Sequence, residues 1–290
     1  MFGANGRLGR AVVATLAEIG YRVQPVSWLD FKTRAARDQR EIVAELSAMT
    51  GQVDIVFASG LIDPGAPSAD LTLANVERPA GVIEATIDCK QFRYLTIGSV
   101  LEVFPKLAAN NPYLASKMAL WTRIQSLSTD TRLHGRMMHL RAHTLYGGAP
   151  APHSFLGEMY ESLRAGQPFR MSEGQQLREY AHVEDVAFSI VALLTRSVTY
   201  CVALDLSTGQ PVRLGQLARS VFRAFDCEQL LQVNALPTPI GENLNIKFPR
   251  SPAWLLGRPR PPIEGIIEWF SKLLDRPYTK AAAEDPASRP

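Results

Sequence analysis

A chain of 290 residues with a formal net charge of +3, 46% hydrophobic and 20% charged, has the make-up of a folded globular enzyme and not of a disordered chain. Its basic residues are scattered, so no stripe is offered to a nucleic-acid backbone, and no apolar run approaches the length of a membrane span. Cys89, Cys201 and Cys227 lack the spacing of a disulfide framework or a zinc site, which fits a reducing cytoplasm.

The chain opens MFGANGRLGR, a glycine loop with only Met1 and Phe2 ahead of it. The spacing of Gly3, Gly6 and Gly9 lets a backbone turn tightly, approach a pyrophosphate, and pass it to a helix N-terminus. Leu8, Val12, Leu16 and Ile19 recur at helical spacing and predict the first helix, stopped by Gly20. Tyr21 to Trp28 reads as a strand, although Pro25 removes a ladder donor. A helix over Asp38 to Met49 follows, then a strand over Val53 to Ser59, apolar enough to be buried on both faces. A helix around Asn75 to Thr86, a strand over Phe92 to Ser99, a polar connection, a helix from near Pro112 and a strand over Met137 to Ala142 complete the rhythm. Strands alternating with helices in this way predict an α/β fold with a doubly wound parallel sheet, its ligands beyond the carboxyl ends of the strands.

After Gly148 the rhythm changes. A helix over Ser154 to Ala165, a short strand at PFRMS, a loop EGQQLREYAHVEDV, a helix to Arg196, a strand VALDLS and a helix over Leu214 to Phe225 are predicted. A Pro-rich run from Pro249 to Pro262 leads into a last helix whose Ile263, Ile266, Ile267, Phe270 and Leu274 form one apolar face. The expected organisation is a dinucleotide-binding domain over 1–149 and 183–212, a smaller substrate-binding lobe over 150–182 and 213–278, and a disordered tail over 279–290.

The chemistry centres on NPYLASK, which puts Tyr113 one helical turn before Lys117 on the same face. A neighbouring ammonium stabilises a phenolate, which predicts a Tyr113 hydroxyl drawn toward neutral pH and able to exchange a proton. Tyr-x-x-x-Lys occurs once in the chain, where a helix opens after the strand ending TIGS. Ser99 is thereby projected to the same sheet edge, either to hold a substrate oxygen for Tyr113 or to cap the next turn. No two of the five histidines make a metal pattern, so no metal is expected. His182 and His143 read as structural, with His143 also a substrate-contact candidate, and Asp185 reads as a helix cap. Trp121, Trp254 and Trp269 read as core or interface.

In GANGRLG, the ANV of Asn75, TIGS before PYLASK, LRAHTLYGG, REYAHVEDVA and IEGIIEWF, the sequence resembles the extended short-chain dehydrogenase/reductases, the NAD-dependent epimerase/dehydratase group acting on nucleotide sugars. The resemblance runs over nearly the whole chain. It implies a Rossmann-like sheet with the first strand truncated, since about five strand residues are missing before Gly3; a start upstream of Met1 is the expected cause. It implies Tyr113 as acid/base, Lys117 as its partner and as a ligand of the nicotinamide ribose, and Ser99 hydrogen-bonded to the reacting sugar oxygen. Gly3, Asn5, Gly6, Arg7, Leu8 and Gly9, together with Ser27 and Ala58, would line the cofactor. Arg178 would take the sugar-nucleotide phosphates, the alternative being a surface salt bridge. Homodimerisation through the helix bearing Tyr113 is a further implication.

At the end of the second strand a dinucleotide fold usually holds the adenosine ribose with a carboxylate. Here Ser27 and Trp28 stand there, Asp30 lies further on, and Arg7, Lys32 and Arg34 are at hand for an extra phosphate. This leans toward NADP(H) over NAD(H), and so toward reduction of a 4-keto-deoxysugar nucleotide by hydride transfer, with Tyr113 donating the proton. A 4-epimerase with tightly bound NAD is the alternative, and a non-catalytic dinucleotide-sensing module is the alternative of another class.

Overall fold

A computed structural model describes residues 1–29, 36–63, 65–109, 111–196, 203–238 and 259–279. The chain divides into two compact units, Met1–Ala142 with Val186–Leu206, and His143–Asp185 with Ser207–Pro290.

The first unit is an α/β layer. Helix α1 (Arg7–Glu18) buries Leu8, Val12 and Leu16 of the apolar stripe read from the sequence, while Ile19, the fourth member, caps the helix end and is exposed. After α2 (Gln39–Ser47) come β1 (Val53–Phe57), α3 (Ser68–Thr72), a π-turn over Leu73–Glu77, α4 (Arg78–Ala85) and β2 (Phe92–Ser99). A 3₁₀ turn (Val100–Val103), α5 (Pro105–Ala108), α6 (Pro112–Leu127) and β3 (Met137–Ala142) follow, and β8 (Leu204–Leu206) returns late in the chain. The strands form one parallel sheet in the order β1-β2-β3-β8, with Ile55 opposite Tyr94, Thr96 opposite His139, and Ala142 opposite Leu206. Apolar side chains of both sheet and helices, among them Phe2, Ile42, Ile55, Phe57, Ile83, Phe92, Tyr94 and Ile124, make its core.

Two expectations change here. The predicted strand Tyr21–Trp28 forms no ladder; only Val26 bridges to Phe2, which bridges in turn to Phe57. Pro25 offers no donor, and its neighbour in the sheet is a single residue long. Toward β1 the Phe2 N–H donates to Val56 O at 2.9 Å and its carbonyl accepts from Ala58 N at 3.1 Å, on the other side Val26 N donates to Met1 O at 3.0 Å, and the Phe2 ring stacks between Trp28 and Phe57. Phe2 thus stands as a one-residue bridge between Val26 and the β1 edge of the four-stranded parallel sheet. The helix expected from Asn75 starts earlier, at Ser68, and widens into the π-turn that contains Asn75.

The second unit packs α7 (Phe155–Ala165), α9 (Leu214–Ala224) and α10 (Pro262–Leu274) around Tyr146, Phe169, Phe222 and Phe225. Short pairs brace it: β4 (Thr144–Tyr146) with β7 (Tyr180–His182), β5 (Phe169–Arg170) with β10 (Leu231–Gln232), and β6 (Leu177–Arg178) with β9 (Val212–Arg213). The stretch read as a loop from Glu173 to Val186 therefore carries two strands, each too short for a period to show, and ends in α8 (Val183–Thr195). Ile266, Ile267 and Phe270 of the last helix are buried as predicted from its apolar face. The expected tail, Asp30, Lys32, Arg34, Cys201 and Trp254 lie outside the described residues, the tail except for Thr279.

Candidate active site

The glycine loop sits at the carboxyl edge of the sheet. Gly3 adopts φ +78°, and a Cβ there would run into the backbone of Ala58 and Ser59 just past β1. A Cβ on Gly9 would overlap the carbonyl oxygen of Gly3. The loop therefore lies flat against both the end of β1 and the start of α1, and only hydrogen fits at these two points. Gly6 caps α1 with no side-chain acceptor and no acidic residue follows in the first turn, so the positive end of the helix dipole is left for an anion. This cradle fits the pyrophosphate of a dinucleotide, with Gly3, Asn5, Gly6, Arg7, Leu8 and Gly9 supplying the loop. Ala58 is part of the wall that Gly3 leans on. Ser27 is turned to its own backbone, its Oγ accepting from Leu29 N at 3.1 Å. Beside it the Trp28 indole N–H donates to Ser59 Oγ at 3.1 Å, and the Arg78 guanidinium lies 5.5 Å over the Trp28 ring.

From Ser59 the wall continues to Gly60, next to which stands the Lys117 ammonium, 3.7 Å from where a Gly60 Cβ would be. Lys117 is 7% exposed, donates from Nζ to Ile97 O of β2 at 3.2 Å, and lies 5.9 Å from the centre of the Tyr113 ring. Helix α6 delivers both side chains. Asn111 starts it, accepting from Leu114 N at 3.1 Å, with Pro112 as its first residue. The structure thus brings the glycine loop, the end of β1, Lys117 and Tyr113 into one continuous edge of the first unit.

The acidity of Tyr113 differs from the sequence expectation. Burial first, and the Glu102 carboxylate second, push the phenol up to about 12, not down. Lysine moves the other way: burial brings its ammonium down to about 8, with Glu102 opposing. The ammonium lies over the ring, 5.9 Å from its centre, and is tied to Ile97 O; loss of water around the phenol sets the direction of its shift. At neutral pH the phenol keeps its proton and the amine remains mostly charged.

Ser99 ends β2 as a cap. Its Oγ accepts from Leu101 N at 3.2 Å, and Glu102 closes the box by accepting from Ser99 N at 2.9 Å. Of the two alternatives read for this serine, the cap is the one seen in its hydrogen bonds.

Asn75 was missed as a functional position. It is 2% exposed; its Oδ1 accepts from Leu61 N at 2.8 Å, and its Nδ2 donates to Leu61 O and Ser116 Oγ, both at 2.9 Å. One side chain in the π-turn thus ties the loop after β1 to the helix carrying Tyr113 and Lys117. π-turns occur often at functional sites. An amide amid the apolar run LTLANV was the available signal.

Arg178 and His143 belong to the second unit. Arg178 is half-buried on β6, its Nη1 donating to Leu177 O at 2.9 Å, and burial lowers the pKa of its guanidinium from the usual value. Its strand pairs antiparallel with β9, where Arg213 stands opposite Leu177 and donates to Gln175 O at 2.7 Å. Sequence reading did not single out Arg213. His143 is buried against Glu179, Nε2 to Oε2 at 3.2 Å, and the same carboxylate accepts from Ser207, Thr208 and Gly209 N. The structure gives this imidazole an internal partner. Asp185, expected as a helix cap, lies inside the first turn of α8 and pairs with Arg260, Oδ2 accepting the Arg260 backbone N–H at 2.9 Å, so it anchors the segment before α10. Among the described residues no cluster of His, Cys, Asp or Glu could hold a metal ion, and no helix is long and apolar enough to cross a membrane.

A model of the NAD dependent epimerase/dehydratase family matches residues 1–202. The chain belongs to that family. No curated protein sequence matches it significantly. Solved structures resemble it as relatives of the family should. One is MoeE5 in complex with UDP-glucose and NAD, at 20% identity over 94% of this chain and 98% of that one, with a TM-score of 0.73. Another is a UDP-N-acetylglucosamine 4-epimerase from Methanobrevibacter ruminantium M1, at 13% identity over 94% and 97%, TM-score 0.74. A third is DesIV, the dTDP-glucose 4,6-dehydratase of Streptomyces venezuelae with NAD bound, at 17% identity over 93% and 96%, TM-score 0.73. Identities this low establish the shared fold, a Rossmann-like α/β architecture, and membership of this enzyme family makes the protein an enzyme of the NAD-dependent epimerase/dehydratase kind.

Proposed function

We propose that the protein reduces a keto group of a nucleotide-linked deoxysugar, taking hydride from NADPH and a proton from Tyr113. The observation that carries this reading is geometric: α6 sets the Tyr113 phenol, protonated at neutral pH, beside the Lys117 ammonium on the same edge of the first unit as the glycine loop. Lys117, charged and fixed to Ile97 O beside Gly60, is placed to steady the cofactor's ribose and to compensate the phenolate as the proton leaves. The bound cofactor supplies the hydride; this chain's residues hold the dinucleotide, orient the carbonyl and give the proton. Elimination of water from a sugar would need a further base able to reach a carbon-bound proton, and the nearby carboxylate, Glu102, is 1% exposed and occupied by internal donors.

Preference for NADP(H) is supported by the absence of a carboxylate at Ser27 and Trp28, by the Arg78 guanidinium over the Trp28 ring, and by Arg7 at the start of α1. Binding of nucleotide sugars such as those named in the solved relatives, with Arg178 on the phosphates, completes the reading. The test is to offer purified protein a panel of UDP- and dTDP-linked 4-ketosugars with NADPH or NADH and follow loss of the reduced nicotinamide. Turnover with NADPH supports the proposal. Tightly retained NAD, no oxidation of added cofactor and interconversion of C4 epimers would establish the 4-epimerase alternative instead.

A further inference from the structure

Beneath the Tyr113 end of α6 lies a polar cluster that the reaction above does not use. His139, in the middle of β3, is fully buried. Its Nδ1 is 2.7 Å from Thr96 Oγ1 on β2, and its Nε2 is 2.7 Å from Glu102 Oε1. The other oxygen of Glu102 accepts from Ser99 N, and Oε1 is also 3.2 Å from Arg141 Nε. Arg141 reaches on to Asp205 of β8 at 3.1 Å, and its guanidinium lies 4.7 Å over the ring of Trp121, which in turn stacks on His139 at 5.3 Å. Trp121 follows Tyr113 and Lys117 at steps of four residues, so one face of α6 carries all three. Gly98 is shaped to the pair: a Cβ there would overlap both His139 Nε2 and Glu102 Oε2.

Taking a carboxylate and its partners out of water is costly, and replacement by apolar side chains often leaves a fold no weaker. The position of this carboxylate therefore calls for an explanation besides stability. Glu102 is the charged group whose field reaches both Tyr113 and Lys117, opposing ionisation of the phenol and favouring the ammonium. The groups facing it are His139 and Arg141 from β3, Asp205 through Arg141 from β8, and Tyr113 and Lys117 from α6.

We propose that His139 is a positioning residue, which fixes the Glu102 carboxylate against the Tyr113–Lys117 end of α6 and so sets the pH range over which that pair holds its protons. The importance of that range rests on Tyr113 being the proton donor; the placement itself does not. Without the imidazole, Glu102 loses one of its donors and its fixed station, and its hold on the Lys117 ammonium weakens.

Lys117 reports this without substrate or cofactor. Protein labelled with carbon-13 at lysine Cε is titrated by NMR, the Lys117 signal being the one missing from Lys117→Met. In the wild type it should titrate near 8. His139→Leu and Glu102→Gln should each lower that midpoint by roughly half to one pH unit, the double variant should go no lower than Glu102→Gln alone, and His139→Gln, which keeps an N–H toward Glu102, should stay near wild type. If His139→Leu does not fold by circular dichroism, Thr96→Val, which removes the far anchor of the imidazole, should shift the midpoint the same way. An unmoved midpoint in the folded His139 or Thr96 variant, or shifts that add in the double, overturns the proposal. Because no turnover is read, failure of the reductase assay and failure of this experiment are separate results.

Discussion

Lys117→Met isolates the cost of keeping an ammonium inside the first unit. Lys117 is 7% exposed and its ammonium is brought down by burial from 10.5 to about 8. That gap is worth about 3 kcal/mol against the folded state at pH 7, because folding must bury a charge the unfolded chain keeps in water. For a lysine lowered on folding, the unfolded chain binds more protons between the two values. The cost is thus complete below about pH 8 and fades as pH rises through the unfolded value. Methionine fills a similar volume without the charge, but leaves Ile97 O without its donor, which returns about 1–2 kcal/mol. The variant should therefore exceed wild type by about 1–2 kcal/mol at pH 7, and the difference should fall by about 2.5 kcal/mol by pH 10, reversing its sign. Urea denaturation of both proteins at the two pH values reads this directly. A stability difference that does not change with pH would refute the assignment of a lowered, buried ammonium. Such a gain in stability with loss of activity is what removal of a strained functional group predicts.

Tyr113→Phe should lower turnover by at least about a hundredfold while NADPH affinity, read by fluorescence titration, stays within about twofold. Asn75→Ala leaves Leu61 N and O without these partners in a half-buried place and should cost about 1–2 kcal/mol in thermal or chemical denaturation, with weakened cofactor binding because the loop after β1 loosens. Gly9→Ala places a methyl where the Gly3 carbonyl stands, and isothermal titration should find NADPH affinity reduced at least about tenfold. Arg178→Ala should raise the KM for a nucleotide sugar more than it lowers kcat, since a phosphate clamp binds ground and transition states alike.

The parts of this molecule that were legible in its sequence are those encoded locally. The glycine spacing, the 3.6-residue stripe of α1, the continuous apolar run of β1 and the turn between Tyr113 and Lys117 depend on neighbours a few residues away. What escaped depends on distant ones. His139 lies in MMHLRA and reads as one polar residue in an apolar strand; its partner Glu102 is 37 residues back, and nothing short of the fold brings them within 2.7 Å. The direction of the Tyr113 shift failed for a related reason, since helical spacing shows that an amine is near but not that water is gone, and desolvation decides the outcome. The missing ladder at Tyr21–Trp28 follows from a partner strand one residue long. The strands at Leu177–Arg178 and Tyr180–His182 are too brief for any period to register.

The reductive reading is tested most directly by tracing the hydride. With NADPH dideuterated at the nicotinamide C4 and a nucleotide-linked 4-ketosugar, the account predicts one deuterium at C4 of the product sugar for each NADP⁺ released, with the same ratio at a rate lower by at least about a hundredfold in Tyr113→Phe. Product that carries no deuterium, formed while the added NADPH is left intact, would contradict it.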